Sequence, residues 1–302
     1  MWQIEIAHPD DRPAALALAF SRMADVERTA TIQRASLLLA KGTWTGDGIW
    51  IAHDGSHLVG VVIAQPLRGA SCLFWLPVAR PDCADALIAA ALVWCKSRGC
   101  IIAQAFYSPD QAEWIDPFLR NGFQHITRLH HLEYDFLLNA ETDANAAGEL
   151  QFESCDPVMP AQFGSTLLKT YEGSLDCPEL DGRRSIEEIL AGHRGEGVHH
   201  PDCWWLARHN GEAVGVLLLT EIVNQAIWEI AYLGITPAHR GQGWGRALTL
   251  HALTNLRKRD AKRLTLAVDA RNGPARRLYE SLGFTENEPM DVVLCFLNSQ
   301  GS

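Results

Sequence analysis

Nine residues constrain this chain more than any others: Arg240-Gly-Gln-Gly-Trp-Gly-Arg-Ala-Leu248. They follow an apolar stretch, Ile227-Trp-Glu-Ile-Ala-Tyr-Leu-Gly-Ile235, that reads as a strand, and they open a run from Arg246 to Arg259 that reads as a helix. A glycine-rich turn between a strand and a helix N-terminus leaves backbone N–H groups without intrahelical partners. It aims them, with the positive end of the helix dipole, at one place. Such a place seats a phosphate. Gly241, Gly243 and Gly245 can take positive φ and carry no Cβ, so an anion can come close to the backbone, and Arg240 and Arg246 add charge. The turn is not a P-loop, since no Gly-Lys-Ser/Thr follows, and it lacks the acidic residue that a dinucleotide fingerprint places after the next strand.

What fits is Arg240-Gly-Gln-Gly243-Trp-Gly245, which resembles the pyrophosphate loop of the GNAT acyltransferases. Asn272-Gly-Pro-Ala-Arg-Arg-Leu-Tyr279-Glu-Ser-Leu-Gly283-Phe284 is similar to that family's next segment, at the right separation. The resemblance covers Trp204 to Leu297 well and Phe152 to Gly192 less closely; it reaches the first half only through repetition. It implies an α/β fold of two tandem GNAT-like domains, each a mixed, mostly antiparallel central sheet flanked by helices. Within the family the second half is most similar to the mycothiol synthase branch, through Glu229-Ile-Ala-Tyr-Leu-Gly-Ile235, Val268-Asp269 and Leu278 to Phe284. The shared motifs handle coenzyme A, so the acceptor of that branch is not carried over.

A chain of 302 residues has room for two domains. Asn139-Ala-Glu-Thr-Asp-Ala-Asn-Ala-Ala-Gly148 is small, polar and without periodicity, so the expected division is a first domain over 1–138, a linker over 139–149 and a second domain over 150–302. The second half repeats the first. Trp50 and Trp205 differ by 155, as do Gly60 and Gly215; Leu87 and Leu248 differ by 161, as do Phe123 and Phe284. Subtracting 161 from Gly243, Gly245 and Tyr279 gives Asp82, Ala84 and Phe118. An aspartate repels a pyrophosphate and Phe118 has no hydroxyl, so the first copy is expected to have lost the cofactor loop and catalysis.

The chain carries a net charge of −10, which argues against nucleic-acid and anionic-membrane partners. Between Arg240 and Arg277, however, ten Lys or Arg face two acids, a local +8 that suits a polyphosphate such as coenzyme A, with solvated helix faces as the plainer reading of part of it. No apolar run approaches the roughly 18 residues that span a bilayer, and Met1-Trp-Gln-Ile-Glu-Ile has no basic leader, so a cytoplasmic protein is expected. Eight cysteines contain no C-x-x-C pair or zinc spacing, and they read as reduced thiols.

Acyl transfer to an amine needs a base, an oxyanion donor and an acid for the leaving thiolate. Glu229, on the strand that enters the loop and in an apolar setting that should raise its pKa, is the candidate base. The family carries a glutamate at such a position; a strand glutamate facing solvent is the alternative. The resemblance makes Tyr279 the candidate acid, a role compatible with packing its ring under the helix. It also implies that Leu233, Gly234 and Ile235 pair with the pantetheine arm, that Arg240, Gly241, Gln242, Gly243, Trp244, Gly245 and Arg246 hold the pyrophosphate, and that Asn272 caps its helix and meets acetyl-CoA.

Tyr171 to Asp181 is an acidic turn where the acceptor would enter. Glu172, Asp176 or Glu179 could hold a cationic amine, or the turn could simply be solvated. Adjacent His199 and His200 cannot easily chelate one ion, and no metal is expected. Trp204 and Trp205 read as core. The resulting expectation is an acetyl-CoA-dependent N-acetyltransferase acting on a primary amine of a small molecule or peptide, as a monomer or homodimer. A non-catalytic acyl-CoA sensor that binds a partner protein is the alternative.

Overall fold

The computed structural model describes residues 2–139, 149–156, 158–222 and 226–297; most of the expected linker, residues 140–148, lies outside them. The chain forms two compact units, Met1–Ile126 with Asp291–Ser302, and Thr127–Met290. No helix among the described residues is long and apolar enough to cross a membrane.

The first unit begins with β1 (Gln3–Ile6), α1 (Arg12–Ala19), α2 (Asp25–Ala40), β2 (Ile49–Asp54), β3 (His57–Leu67), β4 (Ser71–Phe74), β5 (Val78–Ala79), α3 (Pro81–Ser97), β6 (Ile102–Tyr107) and α4 (Asp116–Arg120). The chain then runs through β7 (Gln124–Asp135), which from Thr127 on belongs to the second unit. There follow β8 (Gln151–Ser154), α5 (Phe163–Tyr171), α6 (Ile186–His193), β9 (Val198–His209), β10 (Glu212–Ile222), β11 (Ile227–Ile235), α7 (Trp244–Arg257), β12 (Arg263–Asp269), α8 (Gly273–Ser281) and β13 (Thr285–Glu286). Finally β14 (Met290–Phe296) returns to the first unit.

The two sheets have the same plan. In the first, the order is β1-β2-β3-β4-β6-β14, antiparallel except for β4 beside β6. In the second, it is β8-β9-β10-β11-β12-β7, antiparallel except for β11 beside β12. The repeat holds to the residue. Trp50 faces Val62 and Ala52 faces Gly60, while Trp205 faces Leu217 and Ala207 faces Gly215, each shifted by 155. The edges trade a strand: β14 flanks β6, and β7 occupies the same place beside β12. The sequence assigns β7 to the close of the first half and β14 to the close of the second. The compact units divide otherwise because Leu132, Tyr134 and Phe136 pack into the second core, and Val293 and Leu297 into the first.

Alternation along β9 and β10 builds two layers. Trp204, Leu206, Val216 and Leu218 face α5 and α6, whereas Trp205, Ala207, Leu217 and Leu219 face α7. Both tryptophans are therefore core, on opposite sides.

Candidate active site

The cleft of the second unit arises where β11 stops pairing with β12. Leu218 faces Tyr232 and Leu219 faces Ile230, so Ala231 is an extra residue, a bulge that bends the strand. The parallel ladder to β12 covers only Ile227 to Glu229 opposite Arg263 to Thr265. Beyond it the strands part around a cavity of about 620 Å³, with Ile230 to Ile235 on one wall and Leu266 and Ala267 on the other. A strand edge released in this way offers N–H and C=O groups to an extended, amide-bearing ligand.

The helix N-terminus opens onto the same cavity. Gly241 and Gly243 hold φ of 76° and 85°, which only glycine adopts without strain, and Gly243 is the N-cap of α7. The first bond into α7 runs from the Ala247 N–H to the Gly243 carbonyl, leaving the amides of Trp244, Gly245 and Arg246 for a ligand. Gly245 is glycine for a different reason than expected. Its φ is not positive, but a Cβ there would lie 3.2 Å from Leu278 Cδ2 of α8. The Arg246 guanidinium reaches the Ser281 hydroxyl at 3.2 Å.

Arg240, which lines the cavity, also braces the backbone around it. Its guanidinium donates to the carbonyls of Ile235 (3.1 Å), Gly173 (2.8 Å), Thr170 (3.0 Å) and Glu172 (2.7 Å), tying the end of α5 to the end of β11. Gln242 likewise braces the turn, donating to the Ala238 carbonyl at 3.3 Å and accepting from the Trp244 indole at 3.2 Å. Much of the basic stretch is also spent internally. Arg276 pairs with Glu280 and Glu286, and Arg271 with Asp269 and Glu179.

Among the candidate residues, Leu233, Gly234, Ile235, Arg240, Gly241, Gly243, Trp244, Gly245, Arg246, Asn272, Asp176 and Tyr279 line the cavity; Gln242, Glu172 and Glu229 do not. Glu229 directly precedes Ile230, which does line it, and lies opposite Thr220 and Thr265 in the sheet. Burial, with a smaller contribution from the Glu196 charge, pushes its carboxyl up to about 7. Tyr279 is 7% exposed on α8, packs against Phe284 at 5.5 Å, and its hydroxyl makes no hydrogen bond among the described residues. Burial, followed by the nearby Asp176 charge, pushes this phenol well above the usual tyrosine range. Asn272 caps α8 by accepting the Ala275 N–H at 3.2 Å. Glu172 is exposed and lends only its carbonyl.

The fold also gathers residues for which the sequence suggested no role. The Tyr232 hydroxyl meets that of Thr170 at 2.8 Å, which in turn donates to the Leu167 carbonyl at 2.6 Å. Asp269, 0% exposed at the end of β12, accepts from Thr127 at 2.7 Å, the Cys177 amide at 3.0 Å and Arg271. An aspartate two residues before an arginine, ahead of the capping Asn272, was the available signal. His199 and His200 point to opposite faces, one against Trp204 and the other to Glu221. The ligand atoms of Asp176, Cys177 and Asp269 lie within 4.8 Å of one another. However, burial pushes the thiol up to about 12, and Asp269 is committed to its donors, so the set is poor for a metal.

The first unit differs at the matching places. Its α3 starts with Pro81, which has no N–H, and Asp82 pairs with Arg80 at 3.3 Å. Phe118 is fully buried, 4.8 Å from Phe123, as Tyr279 is set against Phe284.

Residues 167–284 match the model of the acetyltransferase (GNAT) family. Over 110 residues, 36% of each chain, it is 39% identical to a mycothiol acetyltransferase of Thermomonospora curvata. It is 40% identical over 115 residues to a mycothiol acetyltransferase of Thermobispora bispora, 36% of this chain and 38% of that one. The match thus spans little more than a third of those relatives' length. A GCN5-related N-acetyltransferase of Sphaerobacter thermophilus superposes with a TM-score of 0.64 at 15% identity, covering 99% of this chain and 96% of that one. A tandem GNAT protein from the clavulanic acid biosynthesis pathway covers all of both chains at a TM-score of 0.53 and 13% identity. At such identities the likeness is one of fold, and it extends over both halves.

Proposed function

We propose that the second unit is an acetyl-CoA-dependent N-acetyltransferase that acetylates a primary amine of a small molecule or peptide by direct attack, in the cytoplasm. The family domain and the mycothiol acetyltransferase relatives support an acyltransferase. The observation that carries the reading is one cavity bounded by the free helix N-terminus of α7, the released edge of β11 and Tyr279. Acetyl-CoA fits this set as a substrate: its diphosphate suits the amides after Gly243, and its pantetheine arm suits the edge from Leu233 to Ile235.

In this reading the amine nitrogen attacks the thioester carbonyl, Glu229 accepts the amine proton directly or through water, and the C–S bond breaks as Tyr279 protonates the leaving sulfur. A carboxyl that titrates near 7 suits a base at neutral pH, and a phenol held fully protonated suits an acid. The first unit, with Asp82, Ala84 and Phe118 at the corresponding positions, would serve as a platform without a cofactor seat. Thiol release from acetyl-CoA in a screen of amines, amino acids, aminoglycosides and peptides tests the proposal. Loss of turnover with retained CoA affinity in the Glu229→Gln, Tyr279→Phe double variant is expected. Full turnover in that variant would overturn the assignment.

A further inference from the structure

Three carboxylates and one guanidinium meet where the loop between α5 and α6 touches the end of β12. Arg271 grips Asp269 (Nη2 to Oδ2, 2.7 Å) and Glu179 (2.6 and 3.0 Å). The Asp269 amide donates to Asp176 Oδ1 at 3.0 Å, and the Cys177 amide returns a bond to Asp269 Oδ2 at 3.0 Å. The one cation is therefore shared by Asp269 and Glu179, and Asp176 has no ion pair among the described residues. Of the three carboxylates only Asp176 lines the cavity, beside Tyr232 and Tyr279. Asp176 is half-buried, is hydrogen-bonded to Asn272 and feels Arg271 only at a distance, and a carboxylate drawn out of water without an ion-pair partner of its own is costly until a cation arrives.

We infer that Asp176 is the acceptor-recognition residue, receiving the ammonium form of the acceptor beside Tyr279, and that Asp269 is the positioning residue that holds it there. This rests on the acetyl-transfer reading and narrows its substrate class to amines that arrive as cations. Glu229 keeps the separate task of proton removal. Two reciprocal amide-to-carboxylate bonds, from Asp269 N–H to Asp176 and from Cys177 N–H to Asp269, fix the loop to the strand that leads into α8, so recognition and the acid are set by one joint. Glu172, Glu179 and Asp181, the other acids of the loop, are excluded because Glu172 and Asp181 are exposed away from the cavity and Glu179 is spent on Arg271.

The test uses calorimetry on the full chain complexed with CoA, at about pH 8, where n-butylamine is an ammonium and its isostere n-butanol is uncharged. The cation is expected to bind at least roughly tenfold more tightly than the alcohol. Asp176→Asn should erase that preference, Asp176→Glu should keep part of it, Glu229→Gln should keep all of it, and Asp269→Asn should weaken the cation with CoA affinity unchanged. The inference is overturned if the wild type shows no preference, if Asp176→Asn retains it, if Glu229→Gln removes it instead, or if Mg2+ or Zn2+ displaces the amine. Failure of CoA itself to bind would count against the acetyl-transfer reading; normal CoA binding without the cation preference would count against this inference alone.

Discussion

A carboxylate set into an apolar strand weakens the fold that carries it. The Glu229 carboxyl rises from 4.5 to about 7 in the folded chain, chiefly through burial, so between those values the folded state binds more protons than the unfolded one. Its effect on stability is therefore absent at low pH and becomes a penalty as pH rises through 7. Glu229→Gln should raise Tm near pH 8, a gain on the order of 1–2 kcal/mol, and change it little near pH 4.5. Thermal melts at the two pH values check this; an unchanged Tm at the higher pH would mean a solvated carboxylate. In the wild type kcat/KM should fall on the acid side with a midpoint near 7, as the base is protonated, and Glu229→Gln should flatten that limb while cutting kcat by roughly 10²–10⁴. Tyr279→Phe should lower kcat, with CoA affinity and Tm nearly unchanged, because the hydroxyl has no hydrogen-bond partner to lose among the described residues.

At the scale of elements, two glycines decide whether the cleft exists. Gly243→Ala forces an L side chain into φ 85° at the start of α7, costing about 1–2 kcal/mol and turning the free amides away. Equilibrium binding should record a CoA affinity at least tenfold weaker. Gly234→Ala acts through packing: its Cβ would fall 2.5 Å from Thr170 Oγ1 and 2.6 Å from Thr170 Cβ, pushing α5 off β11. That variant should melt several degrees lower and lose the Thr170–Tyr232 bond. The loop, its helix and Tyr279 were legible in the sequence because glycine spacing and helix caps act within a few residues. The Arg240 clamp and the Asp269 joint were not, since each joins positions 67 to 93 residues apart through side chains whose direction no local pattern encodes.

For the whole molecule, repetition was legible because Trp50 and Trp205, or Phe123 and Phe284, recur at constant offsets and occupy equivalent strands. Which sheet receives β7 and which receives β14 was not. The two stand in equivalent places at the close of each repeat, and nothing in either stretch names the sheet it joins. The distinction predicts how the chain may be cut. A fragment spanning 127–290 should be soluble and bind CoA, since it keeps β7 beside β12 and Leu132, Tyr134 and Phe136 in the core. A fragment spanning 150–302, the half suggested by the linker, should leave β12 with an open edge and aggregate. Size-exclusion chromatography of the two fragments distinguishes these outcomes.

The place of β14 also sets a schedule. Its partner β6 is translated roughly 190 residues earlier, so the first unit must wait, one edge unpaired, until Met290–Phe296 has left the ribosome. The unit made earlier is thus finished later, and a nascent-chain stall before residue 291 would leave it a client for chaperones.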